Sequence, residues 1–130
     1  MEPTVLILLA EDEQLIGATL QDALEDGGFA VRHALSGSEA VAAIDEDPAS
    51  FSGLVTDIRL GGGPDGWDVA RHAREAMPTI PVVYMSGDSA HEHSARGVPD
   101  SIMLQKPFAP AQLITAISTL LNAVPAQRAE

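Results

Sequence analysis

No cysteine occurs among the 130 residues. That absence removes a disulfide framework, a thiolate metal site and a thiol nucleophile. It fits a reducing compartment, with the cytoplasm the expected location. Basic residues are scarce: seven Lys and Arg stand against nineteen Asp and Glu, a formal charge of −12. Phosphate contacts need clustered Lys and Arg, so this balance argues against nucleic acid as a direct partner. Long apolar runs are missing as well. The longest, residues 5–10, falls far short of the roughly 20 residues that cross a bilayer. Glu2 and the lack of a basic stretch before that run argue against a signal peptide. What remains is a chain of one-domain length, long enough to bury a core. Its acidic surplus suits a divalent cation or a basic partner surface, although most of the acids are expected simply to be solvated.

What is present is a regular alternation. Residues 4–9 (TVLILL) read as a strand buried on both faces. Leu15, Ile16, Thr19, Leu20, Ala23 and Leu24 recur at helical spacing, and Gly27-Gly28 stops that helix. Residues 29–35 alternate like a half-exposed strand. Ser36, with Glu39 three residues on, predicts a capping box for a helix that turns Val41 and Ile44 inward and closes at Pro48. A third strand covers 51–57. After the loop 58–66, Asp65 is the expected cap of a helix over 67–77, with Trp67, Val69, Ala70 and Ala73 inward. Residues 80–85 form a fourth strand, with Pro81 confined to its start. A weaker helix spans 88–96 and a short fifth strand 101–104. Leu113, Ile114, Ile117, Leu120 and Leu121 mark a last helix from about Pro110, followed by a short polar tail, 125–130, expected to fray. Five β-α repeats specify an α/β fold: a doubly wound parallel sheet with helices on both faces and right-handed crossovers.

The stretch FSGLVTDIRLGGGPDGW, residues 51–67, organises the rest. A buried strand delivers one acid, Asp57, to a glycine-rich loop, which suits a reactive carboxylate better than a core. In an open parallel sheet, ligands bind outside the carboxyl ends of the strands. Those ends carry Glu11 and Asp12, Asp57, Ser86 and Lys106, whereas the second strand ends uncharged at Leu35-Ser36. Read singly, Asp57 is a turn acid, Glu11 and Asp12 are helix caps, Ser86 is a turn serine and Lys106 a solvated lysine. Read together they surround one pocket. Three crowded carboxylates repel unless a cation lies among them. An all-oxygen donor set favours a hard ion such as Mg²⁺. Lys106 can then neutralise one phosphoryl oxygen and Ser86 can hydrogen-bond another, because phosphoryl transfer is chiefly positioning and charge stabilisation. Glu13 is assigned to the first helical turn. His91 and His93 read as surface histidines, His33 and His72 as structural or exposed, and Trp67 and Met85 as core.

With these pieces in place, the sequence resembles the receiver domain of two-component response regulators. VLILLAEDE, LVTDIRL, PVVYMSG and QKPF carry the resemblance, in order and at near-family spacing, over residues 5–121. It implies a five-stranded, flavodoxin-like sheet of order 2-1-3-4-5, with a receiver domain over 1–124. It implies that Asp57 is the phosphoacceptor, taking a phosphoryl group from a sensor histidine kinase or a histidine phosphotransfer protein. Asp12 and Asp57 would bind Mg²⁺ directly, Glu11 through a water, and the backbone carbonyl of Arg59 would be a further ligand. Lys106 would pair with the phosphoryl group, Ser86 would swing toward it, and Lys106-Pro107 would be a cis peptide. Such a domain promotes its own phosphorylation and dephosphorylation and is otherwise not an enzyme.

Three departures from the family pattern stand out. Met103 replaces the usual switch aromatic three residues before the lysine. The loop after Asp57, with Gly61-Gly62-Gly63, is about one residue long, which predicts mobility. The segment from Ser86 to Lys106 is some two residues short and makes a poor fourth helix. Arg59 and Asp88, each two residues beyond a site residue, are expected to flank the pocket and tune the access of water. With no output domain after residue 121, the chain is expected to stand alone, acting through a downstream protein and dimerising through its last helix. Two other readings compete: a receiver-like binding module that needs no phosphorylation, and a Mg²⁺-dependent phosphohydrolase. The second is disfavoured by Arg59, which stands where such enzymes carry an acid.

Overall fold

The computed structural model describes residues 5–128, those from 124 onward by backbone alone. Five strands alternate with five helices: β1 (Leu6–Ala10), α1 (Gln14–Asp26), β2 (Ala30–Ala34), α2 (Gly37–Glu46), β3 (Gly53–Asp57), α3 (Gly66–Ala76), β4 (Val82–Ser86), α4 (His93–Arg96), β5 (Ile102–Gln105) and α5 (Pro110–Arg128). All strand pairs are parallel and the order is β2-β1-β3-β4-β5, the expected doubly wound, flavodoxin-like arrangement.

β3 and β4 are buried at every residue, as strands with helices on both faces must be. Alternate residues feed two core layers. Ile7, Leu9, Val55, Val83 and Met85 meet α1 and α5 through Leu20, Leu24, Leu113 and Ile117. Leu8, Leu54, Val82 and Tyr84 meet Ala40 and Ile44 of α2 and Trp67, Val69, Ala70 and Ala73 of α3 on the other face. The strands start slightly later than the apolar runs do. Thr4 lies outside the described residues, Phe51 follows a 3₁₀ turn at Pro48–Ser50, and β4 begins only after Pro81, which has no N–H to give a ladder.

The caps depart from the expectations in detail. Glu39 donates its N–H to Ser36 Oγ (3.0 Å), but its carboxylate accepts from Leu35 rather than Ser36, so α2 carries half of the expected capping box. α3 has the full box, Asp65 with Asp68. Glu13 is the N-cap residue of α1 rather than a first-turn residue. At the other end of the chain, α5 continues to Arg128, so residues 125–128 of the expected polar tail are helical. No glycine follows Leu121, and the helix runs on past Pro125 into alanine, glutamine and arginine, which are good helix formers. Residues 129–130 of that tail lie outside the described residues.

The fourth helix is the largest departure. In place of a helix over 88–96 there is a 3₁₀ turn, Ala90–Glu92, and a single turn, His93–Arg96. The loop after Asp57 relies on its glycines for its path. Gly61 (φ 79°) and Gly63 (φ 87°) take left-handed conformations. Beyond them the Pro64 carbonyl rests on Gly37, where a Cβ would lie 2.0 Å from its oxygen.

Candidate functional site

β1 and β3 are neighbours at the point where the strand order reverses, the place at which such sheets hold ligands. Asp57 is the last residue of β3, 9% exposed. Its Oδ1 accepts from the Ile58 N–H (2.8 Å) and its Oδ2 accepts from Lys106 Nζ (2.9 Å). Its main chain is boxed in: the Gly66 N–H donates to the Ile58 carbonyl (2.8 Å), and a Cβ on Gly66 would lie 2.1 Å from the Asp57 carbonyl oxygen. Glycine at the first turn of α3 thus lets that helix abut the end of β3.

Glu11 and Asp12 follow β1 directly. One carboxylate oxygen from each of Glu11, Asp12 and Asp57 lies within 4.8 Å of the other two. Glu11 is 1% exposed while Asp12 is open to solvent. Glu11 Oε2 accepts from the Glu13 N–H (3.1 Å). Its Oε1 is buried without a hydrogen-bond partner; Lys106 Nζ is 3.5 Å away, close enough for charge attraction only. Burial first, and then the Asp57 charge, push the Glu11 carboxyl from 4.5 up to about 7, against the pull of the Glu13 N–H and of Lys106. Burial works against the Lys106 ammonium, yet its hydrogen bond to Asp57 and the two nearby acids outweigh that and hold it above the ordinary lysine range. Lys106 is the only lysine in the chain. It is placed by β5, whose end is joined to β4 through the Lys106 N–H and the Ser86 carbonyl (2.8 Å), and the Lys106-Pro107 peptide is cis.

The buried orphan oxygen and the all-oxygen donor set fit a hard, hydrated divalent cation, whose water could give Glu11 Oε1 a partner and whose charge would offset the crowding of like charges.

Residues 12, 57 and 106 therefore share one rim. Ser86, 1% exposed, lies beside them, but its Oγ is turned to the loop, accepting from the N–H groups of Asp88 (3.2 Å) and Ser89 (2.7 Å). Arg59 and Asp88 do not stand apart at the mouth. They form a two-point ion pair (2.6 and 3.3 Å) that ties the β3–α3 loop to the β4–α4 loop. The Ser89 hydroxyl first, and Arg59 next, hold the Asp88 carboxyl below its usual range. Met103 packs against the α2–α3 face of the core, paired in register with Tyr84.

Two residues carry more than their sequence positions imply. Tyr84 is fully buried, accepts from the Val98 N–H (3.0 Å), and packs against Trp67 as a tilted ring pair with centroids 4.8 Å apart. His33 is half-buried and places Nε2 2.8 Å from the Glu11 carbonyl. Its one sequence signal is indirect: Gly17, a glycine inside a helix, marks a close approach.

An open parallel sheet with acids, an ammonium and a hydroxyl gathered at its switch point defines a doubly wound α/β protein with an acidic pocket. Residues 7–118 match the model of the response regulator receiver domain. The chain belongs to that family, and so is a receiver domain of the two-component systems. A receiver protein from Sinorhizobium medicae superposes with a TM-score of 0.89 at 51% identity, covering 92% of this chain and 96% of that one. The response regulator receiver protein CpdR of Brucella abortus is 34% identical over 90% of this chain and 97% of CpdR. The sensor kinase CckA of the same organism is 31% identical over 89% of this chain, which spans 12% of that protein. Among the described residues, no helix is long and apolar enough to cross a membrane.

Proposed function

We propose that this receiver domain, residues 1–124, is a phosphorylation-dependent switch whose phosphoacceptor is Asp57. The donor is the phosphohistidine of a sensor histidine kinase or a histidine phosphotransfer protein. A carboxylate oxygen of Asp57 bonds to phosphorus as the N–P bond breaks. The electron pair leaves on the imidazole nitrogen, which takes up a proton. The observation that carries the reading is the contact of Lys106 Nζ with Asp57 Oδ2 (2.9 Å) inside a ring of two further acids. Lys106 steadies Asp57 before transfer and meets the phosphoryl charge after it, a pre-positioned charge of the kind that carries most of phosphoryl-transfer catalysis.

Asp12 and Asp57, Glu11 through a water, and the Arg59 carbonyl are the proposed Mg²⁺ ligands. When bound, the ion supplies positive charge for the phosphoryl oxygens. Ser86 must release the Asp88 and Ser89 N–H groups to reach a phosphoryl oxygen, and that exchange passes the signal to the β4–α4 loop. Output runs through protein contacts, with a downstream protein and with a second copy through α5, in the cytoplasm. The domain turns over no external substrate, since Arg59 is paired to Asp88 and offers no general base.

Incubation with acetyl phosphate and Mg²⁺, read by intact-mass spectrometry, tests the reading. Stoichiometric phosphorylation is expected, and its complete loss in Asp57→Asn. Met103 at the switch position and the one-turn α4 favour, as second reading, a binding module that works without phosphorylation. An unmodified wild type would support that module. Hydrolysis of unrelated phosphate monoesters over many turnovers would support the hydrolase.

A further inference from the structure

Successive side chains in a strand point to opposite faces. Glu11 and Asp12 are consecutive, yet both offer an oxygen to the same Asp57. The peptide between them must therefore leave the pleat just where β1 ends. The Glu11 N–H still follows the ladder and donates to the Ala34 carbonyl (3.1 Å), but β2 stops there, so the Glu11 carbonyl has passed the end of its neighbour strand. A turned carbonyl at a strand end needs a donor to hold it. His33 supplies one from β2, two residues back in register, with Nε2 at 2.8 Å. A carbonyl oxygen only accepts, so Nε2 carries the hydrogen.

The ring has room because α1 has no side chain at Gly17. A Cβ there would fall 2.0 Å from His33 Cε1 and 2.3 Å from Nε2. Glycine inside a helix is unfavourable relative to alanine, so this gap runs against the local preference of α1. The imidazole fills it and reaches the pocket from behind.

We propose that His33 is a positioning residue: through the Glu11 carbonyl it sets the Glu11–Asp12 peptide so that both carboxylates face Asp57, and Gly17 makes the space it needs. The inference rests on the Mg²⁺ site proposed above. Groups that orient metal ligands typically change metal affinity 10- to 100-fold when removed.

Mg²⁺ affinity by calorimetry and the Asp12 amide resonance of the metal-free protein form the test, in His33→Leu, His33→Gln and Gly17→Ala. Leucine keeps apolar bulk and loses the donor; glutamine can return an N–H near the Nε2 position. Expected are an affinity roughly tenfold weaker and a shifted Asp12 amide in His33→Leu and Gly17→Ala, with substantial recovery of both in His33→Gln. The phosphorylation rate at saturating Mg²⁺ should stay near that of the wild type. Wild-type affinity and an unmoved amide in His33→Leu, even with lowered thermal stability, would overturn the proposal, and so would a glutamine variant no better than leucine. A wild type that binds no Mg²⁺ would instead remove the site on which the proposal rests.

Discussion

α3 and the segment around α4 flank the same pocket, yet they are held by different means. α3 has three turns, a reciprocal capping box, and Trp67, Val69, Ala70 and Ala73 sunk into the core. α4 has one turn, no side-chain cap and no buried residue of its own. Its segment is instead held by contacts from elsewhere. Tyr84 Oη takes the Val98 N–H, His93 bonds Ser101 Oγ (2.9 Å), and Arg96 lies over the Trp67 ring at 5.5 Å. Local signals and burial make the first element stiff. The second depends on a few separable contacts, and such segments open at a small fraction of the global unfolding free energy. The pocket thus has a fixed wall, α3, which follows Asp57, and a looser wall, the α4 segment, which follows Ser86.

The largest effect should come from the fixed wall. Trp67→Ala removes a side chain only 1% exposed, leaves Arg96 without its ring and takes one of two ring partners from Tyr84. A loss of about 4 kcal/mol is expected in denaturant unfolding, spread over the whole domain. A loss under about 1 kcal/mol would mean that α3 is no better anchored than α4.

The β1 side of the pocket extends the contrast to charge. Glu11 is raised from 4.5 to about 7 in the folded, metal-free protein, so the folded state holds this proton more tightly than the unfolded chain. Its contribution is fully present below about pH 4.5 and is lost as pH rises through about 7. The difference in urea stability between wild type and Glu11→Gln should therefore grow by on the order of 2 kcal/mol between pH 4.5 and 8, in favour of the variant. Saturating Mg²⁺ should narrow it. A difference that is flat with pH would remove the buried-charge account.

The looser wall should respond locally. Tyr84→Phe leaves the buried Val98 N–H without its acceptor, at a cost of about 1–2 kcal/mol. Hydrogen exchange should quicken across 88–101 while α3 amides keep their protection. Equal acceleration in both would break the distinction between the walls. Smallest in stability is the Arg59–Asp88 pair, which bridges the two walls from the exposed rim. Replacing both by alanine should change stability by no more than about half a kcal/mol, as exposed ion pairs do. If Asp57 is phosphorylated as proposed, the lifetime of the adduct should nevertheless shift, since the pair ties together the two loops that follow Asp57 and Ser86. An unchanged lifetime would leave it a surface contact only.

Much of this was legible in the chain. Asp57 stood out because a buried strand ended in an acid followed by glycines. Lys106 and Ser86 mattered only as the ends of two further strands, which the β-α alternation brings to one rim. What escaped had no local signature. α4 failed to extend because Asp88 to Gly97 has no apolar stripe, and the contacts that hold it come from residues far off in sequence. Met103 stands where the family pattern has an aromatic, while the buried aromatic beside it, Tyr84, belongs to a strand where any apolar residue would satisfy the pattern. His33 sits in a half-exposed strand with nothing nearby to mark it, and its partner lies 22 residues away.

The sequence alone determined the fold class and the strand ends, because period and turn chemistry are short-range properties: a strand of five residues and its terminal acid are written side by side. Only the folded sheet decided which side chains meet. The ion pair of Lys106 with Asp57, the orphan oxygen of Glu11 and the histidine behind it join segments that are remote in the chain. Electrostatics and hydrogen bonding act through distance in space, which packing sets.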